Sequence, residues 1–182
     1  EDELSTSSIA STSTDLQQRY IGYFGRPCDP IGLDYWLDQQ VTQKAFAANM
    51  YLQPEFNSAN GSLSTVNQVN QIYLNLFNRD GDSAGLTYWA GQIASGKLEL
   101  ASIANDLIYA ALNNAGSEID KQTLNNKTNA AILYTYQIRD NSAALLGYTP
   151  KSTTPWITGN NLTEAKTFIK GIGYSQVATL AD

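Results

Sequence analysis

Histidine is absent from this 182-residue chain, and Cys28 is its single cysteine. Ser-His-Asp and Cys-His catalysis, His-ligated metals, zinc fingers and intrachain disulfides are thereby excluded by inventory. One cysteine says nothing about the redox compartment; it shows only that stability does not depend on disulfides. Positive charge is scarce as well. The 11 Lys and Arg against 17 Asp and Glu leave a net charge of −6, and no basic run interleaves with aromatics. That balance argues against nucleic acid as a partner. No stretch reaches the roughly 20 apolar residues that span a bilayer, so membrane insertion is not expected. The N-terminus carries no basic-then-apolar signal sequence. Opening at Glu1 without methionine, the chain reads as a processed or excised piece.

What is present is enough to build a core. The sequence is 42% apolar, and its length suits one domain or two small repeats sharing a core. Asn and Gln together number 28, more than all the acids, which implies a surface that is polar without being charged. Such a surface suits an exported or sugar-facing protein.

One stretch is written twice. YIGYFGRPCDPIGLDYW, residues 20–36, returns as YLNLFNRDGDSAGLTYW, residues 73–89. Tyr20, Phe24, Arg26, Asp29, Gly32, Leu33, Tyr35 and Trp36 all recur 53 positions on, without a gap, as Tyr73, Phe77, Arg79, Asp82, Gly85, Leu86, Tyr88 and Trp89. Upstream, Leu16, Tyr20, Tyr23 and Phe24 align with Val69, Tyr73, Leu76 and Phe77 at i, i+4, i+7 and i+8, one face of a helix. Gly25 and Asn78 follow each stripe and are the residue types that close a helix in the left-handed conformation. Asp29 before Pro30, and Asp82 before Ser83, read as N-caps of a second helix. Gly32 and Gly85 fall where a side chain would hold that helix away from the first. Leu33, Trp36 and Leu37, or Leu86, Trp89 and Ile93, should form its buried face. Each motif is thus a helical hairpin closed by a charged turn.

Residues 1–13, acidic and rich in Ser and Thr, read as a flexible leader. Thr14 with Gln17 matches a capping box at the start of the first helix. The first repeat spans 14–56; Thr42 caps its third helix, in which Phe46 and Met50 share a face before Pro54 stops it. Residues 57–63 read as a linker. The second repeat, 64–113, opens on Ser64 as a cap and ends in a helix near 99–113 whose stripe is Leu100, Ile103, Leu107, Ile108 and Ala111. A small insertion at 95–97 belongs in a loop. The remaining segment, 127–182, completes the domain. It contains a helix over 127–139 with Ala130, Leu133 and Tyr134 or Tyr136 inward, a loop over 140–160, a helix capped by Asn161 and stopped by Gly171, and a last helix over 175–181. The expected fold is all-α: two tandem three-helix repeats plus C-terminal helices in one helical domain.

Candidate chemistry is sparse. The repeated Tyr and Trp residues have the spacing of core, with sugar stacking as the alternative. Arg26 and Arg79, each at a helix end with a carboxylate three residues on, read as structural rather than as anion sites. Asn78, Asp80 and Asp82 have the 1, 3, 5 spacing of a calcium loop, but position six is Ser83 and position twelve Trp89, so no metal site is assigned there. Asn60, Asn126 and Asn161 begin glycosylation sequons, which chance explains in so Asn-rich a chain. Scattered carboxylates leave only a formal opening for a glycosidase-like pair, and no catalytic residue is assigned.

The pattern Y-x-x-x-F-x-R-x-x-D-x-x-G-L-x-Y-W, followed by Pro54-Glu55-Phe56, resembles a bacterial domain family of unassigned function. That family recurs in S-layer proteins and in RTX or hemolysin-like secreted proteins of Gram-negative bacteria and cyanobacteria. The resemblance covers about residues 14–140. It implies an N-terminal, non-enzymatic region of a surface-layer protein, located outside the cell and anchoring the lattice to lipopolysaccharide beside neighbouring subunits. A C-terminal secretion signal in such proteins would account for the missing leader. The alternatives are a structural spacer or self-assembly module of the lattice, and a glycan-processing enzyme. An acidic module should avoid anionic sugars unless a divalent cation such as calcium bridges them; no other cofactor is expected. Neutral sugars favour exposed aromatics among amides and hydroxyls, which designates Tyr148, Trp156 and Tyr174 as the expected glycan contacts; the competing reading is that these rings simply cover the end of the helical core.

Overall fold

Apolar residues at helical spacing dominate the chain, and the computed structural model, which describes residues 8–149 and 162–176, is all-α accordingly. In order, its helices are α1 (Ser13–Phe24), α2 (Pro30–Asp38), α3 (Gln43–Leu52), α4 (Pro54–Asn60), α5 (Thr65–Phe77), α6 (Ser83–Ala94), α7 (Ile103–Asn113, entered through a 3₁₀ turn at Leu100–Ser102), α8 (Glu118–Arg139), α9 (Ser142–Gly147) and α10 (Leu162–Lys170). Among the described residues β-pairing is limited to one bridge, Ala10 with Thr42.

The repeated stripes form the centre. α1 packs on α5, and α8 lies against both, so the first helices of the two copies face each other under a third. Leu16, Tyr20, Tyr23, Phe24, Val69, Tyr73, Leu76 and Phe77 are all buried. Each fully buried aliphatic or aromatic side chain of this kind contributes about 1.5–3 kcal/mol. The packing is close at Gly22, where a Cβ would lie 3.2 Å from Leu76 Cδ2 and 3.4 Å from Ala104 Cβ. Gly22 and Asn75 are counterparts 53 residues apart, and they bond directly: the Asn75 amide donates to the Gly22 carbonyl at 2.9 Å.

Both hairpin turns close as the residue types dictate, with Gly25 at φ 66° and Asn78 at φ 56°. Asp29 caps α2, its carboxylate accepting the Gly32 N–H at 2.8 Å. Asp82 does not repeat this: it begins α6 without any side-chain cap bond, its carboxylate lying over Gly85. A Cβ on Gly32 would meet Tyr20 OH at 2.6 Å and Asp29 Oδ2 at 2.8 Å, so only glycine lets α2 sit on α1.

Several sequence expectations need correction. The N-cap of α1 is Thr12, boxed with Asp15, not Thr14 with Gln17. Gln17 instead turns inward, donating to Thr135 Oγ1 at 2.8 Å and accepting the Cys28 N–H at 2.9 Å, which satisfies groups that burial would otherwise orphan. Part of the leader is docked, since Ser11 N–H bonds the Val41 carbonyl. Pro54 stops α3 but also starts α4 at its first turn, a position that needs no N–H, so residues 57–60 are helix rather than linker. Helix α8 begins at Glu118, nine residues before the expected start, and turns Tyr134 inward but Tyr136 outward. Within the expected loop, Asn141 caps α9 through the Ala144 N–H. Ser175 and Gln176 lie in a turn and its exit; the rest of the final helix, and the Asn161 cap, fall outside the described residues. Trp36 and Trp89 are half-buried alike, because α2 and α6 lie at the margin of the core with Tyr35 and Tyr88 outward.

Candidate functional site

The motif arginines occupy contrasting positions. Arg26 is 2% exposed, and its guanidinium pairs bidentately with Glu55 of α4 at 2.7 and 2.9 Å. Its Nη1 also reaches Asp29 and Tyr148 OH, both at 3.2 Å. Burial opposes its charge, but Tyr148, Glu55 and Asp29 together outweigh that and hold it firmly protonated. Tyr148 is fully buried, its hydroxyl donating to the Pro27 carbonyl at 2.5 Å. The expected glycan contact at this residue is therefore corrected: it covers the Arg26 turn, and burial pushes its own ionisation up. Arg79 pairs bidentately with Asp120 of α8 at 2.8 and 2.6 Å, with its side chain 41% exposed. Both arginines are thus anchors of helical turns.

The calcium-like spacing is taken up by other bonds. The Asn78 amide donates to the Lys170 and Ile172 carbonyls, and Asp80 accepts from the Asn70 amide, which also receives the Gly81 N–H. Asp82 makes no side-chain cap bond. Among the described residues no group of three or more acidic or sulfur side chains is placed to hold a metal ion. Of the other expected glycan contacts, Trp156 lies outside the described residues. Tyr174 is 59% exposed, on a segment fixed by the Asn126 amide, which donates to the Gly173 and Tyr174 carbonyls.

Helix α10, which precedes that segment, forms one wall of an open cleft of about 680 Å³. The end of α1 supplies Tyr23, Phe24 and Gly25; α4 supplies Glu55 and Asn60; α5 and its cap supply Gln71, Asn75 and Asn78. Lys127 of α8 forms the base, with Lys166 and Lys170 of α10 on the wall. Lys127 is 1% exposed and spends one N–H on the Asn75 carbonyl, at 2.8 Å, an orphan acceptor in the last turn of α5. Burial lowers its pKa from 10.5 to about 8. The Asn and Gln side chains use their N–H groups on backbone or one another: Asn60 on Phe56, Gln71 on Asn75, Asn75 on Gly22. Sequence reasoning missed this cleft because its residues come from five helices. The one available signal was the concentration of Asn and Gln near the ends of the repeat stripes.

Residues 47–113, from within α3 to the end of α7, match the model of a family described as a domain of unknown function, DUF4214. The match covers the whole second copy and less than half the chain, and the chain is similar to that family over this span. No curated protein and no solved structure matches the chain.

Proposed function

We propose that this chain is a non-enzymatic, extracellular anchoring module of a surface-layer protein that binds glycan of the cell envelope, lipopolysaccharide in particular. One observation carries the reading: the cleft between the two copies and α10, whose walls combine three lysines with four carboxamides. Carboxamide oxygens accept hydroxyl protons and amines donate to sugar oxygens, so a site of this make-up suits a polyhydroxylated ligand. The acid in the described lining is spent on structure, since both oxygens of Glu55 serve Arg26. Tyr174, exposed on the segment after α10, is the aromatic retained from the sequence expectation. Binding of the chain to stripped cells or purified lipopolysaccharide, with and without calcium, tests this; saturable binding that Lys166→Ser and Asn78→Ala weaken is expected, and absence of any glycan binding sinks it.

A second reading, a lattice spacer that self-associates, is favoured by one feature. Tyr35 and Tyr88, 54% and 56% exposed, stand edge-on to Trp36 and Trp89 at 5.0 and 4.9 Å in both copies. Sedimentation of wild type and the Tyr35→Ser/Tyr88→Ser double variant separates the two: concentration-dependent association lost in the variant supports the spacer.

A further inference from the structure

The chain as a whole is acidic, which by itself predicts a neutral ligand or a bridging cation, yet the cleft is locally basic. Lys127, Lys166 and Lys170 converge there from two helices, and none of them has a carboxylate partner among the described residues. Glu55, the one acid among the described residues of the lining, is bonded through both oxygens to Arg26. The ends of α1, α5 and α10 also reach the cleft, and each helix end carries at most about half a negative charge. Three full positive charges outweigh those ends, and the first of the orphan carbonyls is already answered by Lys127.

Lys127 makes the stronger case. An ammonium has three N–H donors, and at 1% exposure this one uses a single donor on protein among the described residues, the bond to Asn75. Burying an ammonium with donors to spare costs stability unless something else takes them. An acceptor within the cleft would do so, and a negatively charged one most strongly. Beside the lysines, the side-chain oxygens of Asn60, Gln71 and Asn78 accept no bond from protein among the described residues, which leaves them for hydroxyl donors. Cationic donors and neutral acceptors in one cleft fit a ligand bearing both an anionic group and hydroxyls.

We propose that the cleft binds an anionic sugar, one carrying a phosphate or carboxylate, with Lys127, Lys166 and Lys170 on the anion and Asn60, Gln71 and Asn78 on the hydroxyls. This rests on the glycan-anchoring reading and names its ligand class; it also removes the need for a bridging cation.

The test titrates the full chain with glucose 1-phosphate, glucuronate, methyl glucoside and inorganic phosphate, by calorimetry and by amide chemical shifts. The charged sugars are expected to bind at least about tenfold more tightly than methyl glucoside, without calcium, and to weaken as salt rises. Preference for one charged sugar tells phosphate from carboxylate. Lys166→Ser and Lys170→Ser, at the surface, should together reduce that affinity about tenfold with melting unchanged; Lys127→Met should reduce it likewise. Equal binding of neutral and charged sugars overturns the anionic assignment while glycan anchoring stands. Phosphate binding as tightly as glucose 1-phosphate overturns the sugar part and the glycan reading, leaving a simple anion site. No shift with any probe overturns both.

Discussion

The two copies of the motif carry the same residues into different surroundings. In the first, Arg26, Asp29 and Tyr20 are sealed beneath α4 and Tyr148, the guanidinium 5.1 Å from the Tyr20 ring and 5.5 Å from that of Tyr148. In the second, Arg79 lies 5.2 Å from the Tyr73 ring but half in water, held by Asp120 from outside its own repeat. Trp89 bonds Tyr73 OH at 2.7 Å, whereas Trp36 packs on Phe46 at 5.1 Å. Helix α2 buries Pro30 and Leu33; α6 buries none of its residues fully. Identical motifs therefore differ in energy according to what later elements cover them. A charged turn is a local solution to ending a helix, and burial converts it into a fixed part of the core.

The largest effect that tests this contrast is at the arginines. Arg26→Met strands Glu55 and Asp29 in the interior and should cost about 3–5 kcal/mol, whereas Arg79→Met should cost about 1 kcal/mol or less. Urea unfolding of both variants decides it, and equal losses would break the comparison. Next come the glycines: Gly32→Ala drives a Cβ into Tyr20 OH and Asp29, for about 1–3 kcal/mol. Gly85→Ala meets Tyr73 OH only at 3.2 Å and an exposed Asp82 that can swing away, so thermal melting should register a smaller loss. Asp29→Ala removes a cap worth about 1 kcal/mol and a partner of Arg26, while Asp82→Ala should stay within about 0.5 kcal/mol. A matching loss at Asp82 would mean that it caps α6 in solution.

The smallest effect concerns pH. With its folded pKa at about 8 against 10.5 unfolded, Lys127 is protonated in both states below pH 8, and the penalty of burying its charge is then fully present. Above pH 8 the folded state loses the proton first, so the unfolded state binds more protons and stability rises with pH up to about 10.5. The stability of wild type relative to Lys127→Met should accordingly climb between pH 8 and 9.5; a flat difference would show that Lys127 is solvated. Affinity for an anionic sugar should fall over the same interval.

The sequence by itself determined the local structure. Period and residue type sufficed for the stripes of α1 and α5, the left-handed closures at Gly25 and Asn78, the Asp29, Thr42 and Ser64 caps and the glycine contact of Gly32, because each depends on neighbours within a few residues. Tertiary structure decided everything that depends on distant partners. It buried Tyr148 over Arg26, 122 residues away, and gave Arg79 to Asp120, 41 residues away. It also left Asp82 uncapped at the surface and drew Lys127, Lys166 and Lys170 into one cleft of an acidic chain. Side-chain pairing across such separations follows from how helices pack, and the spacing of residues along one helix carries no information about which other helix will cover it.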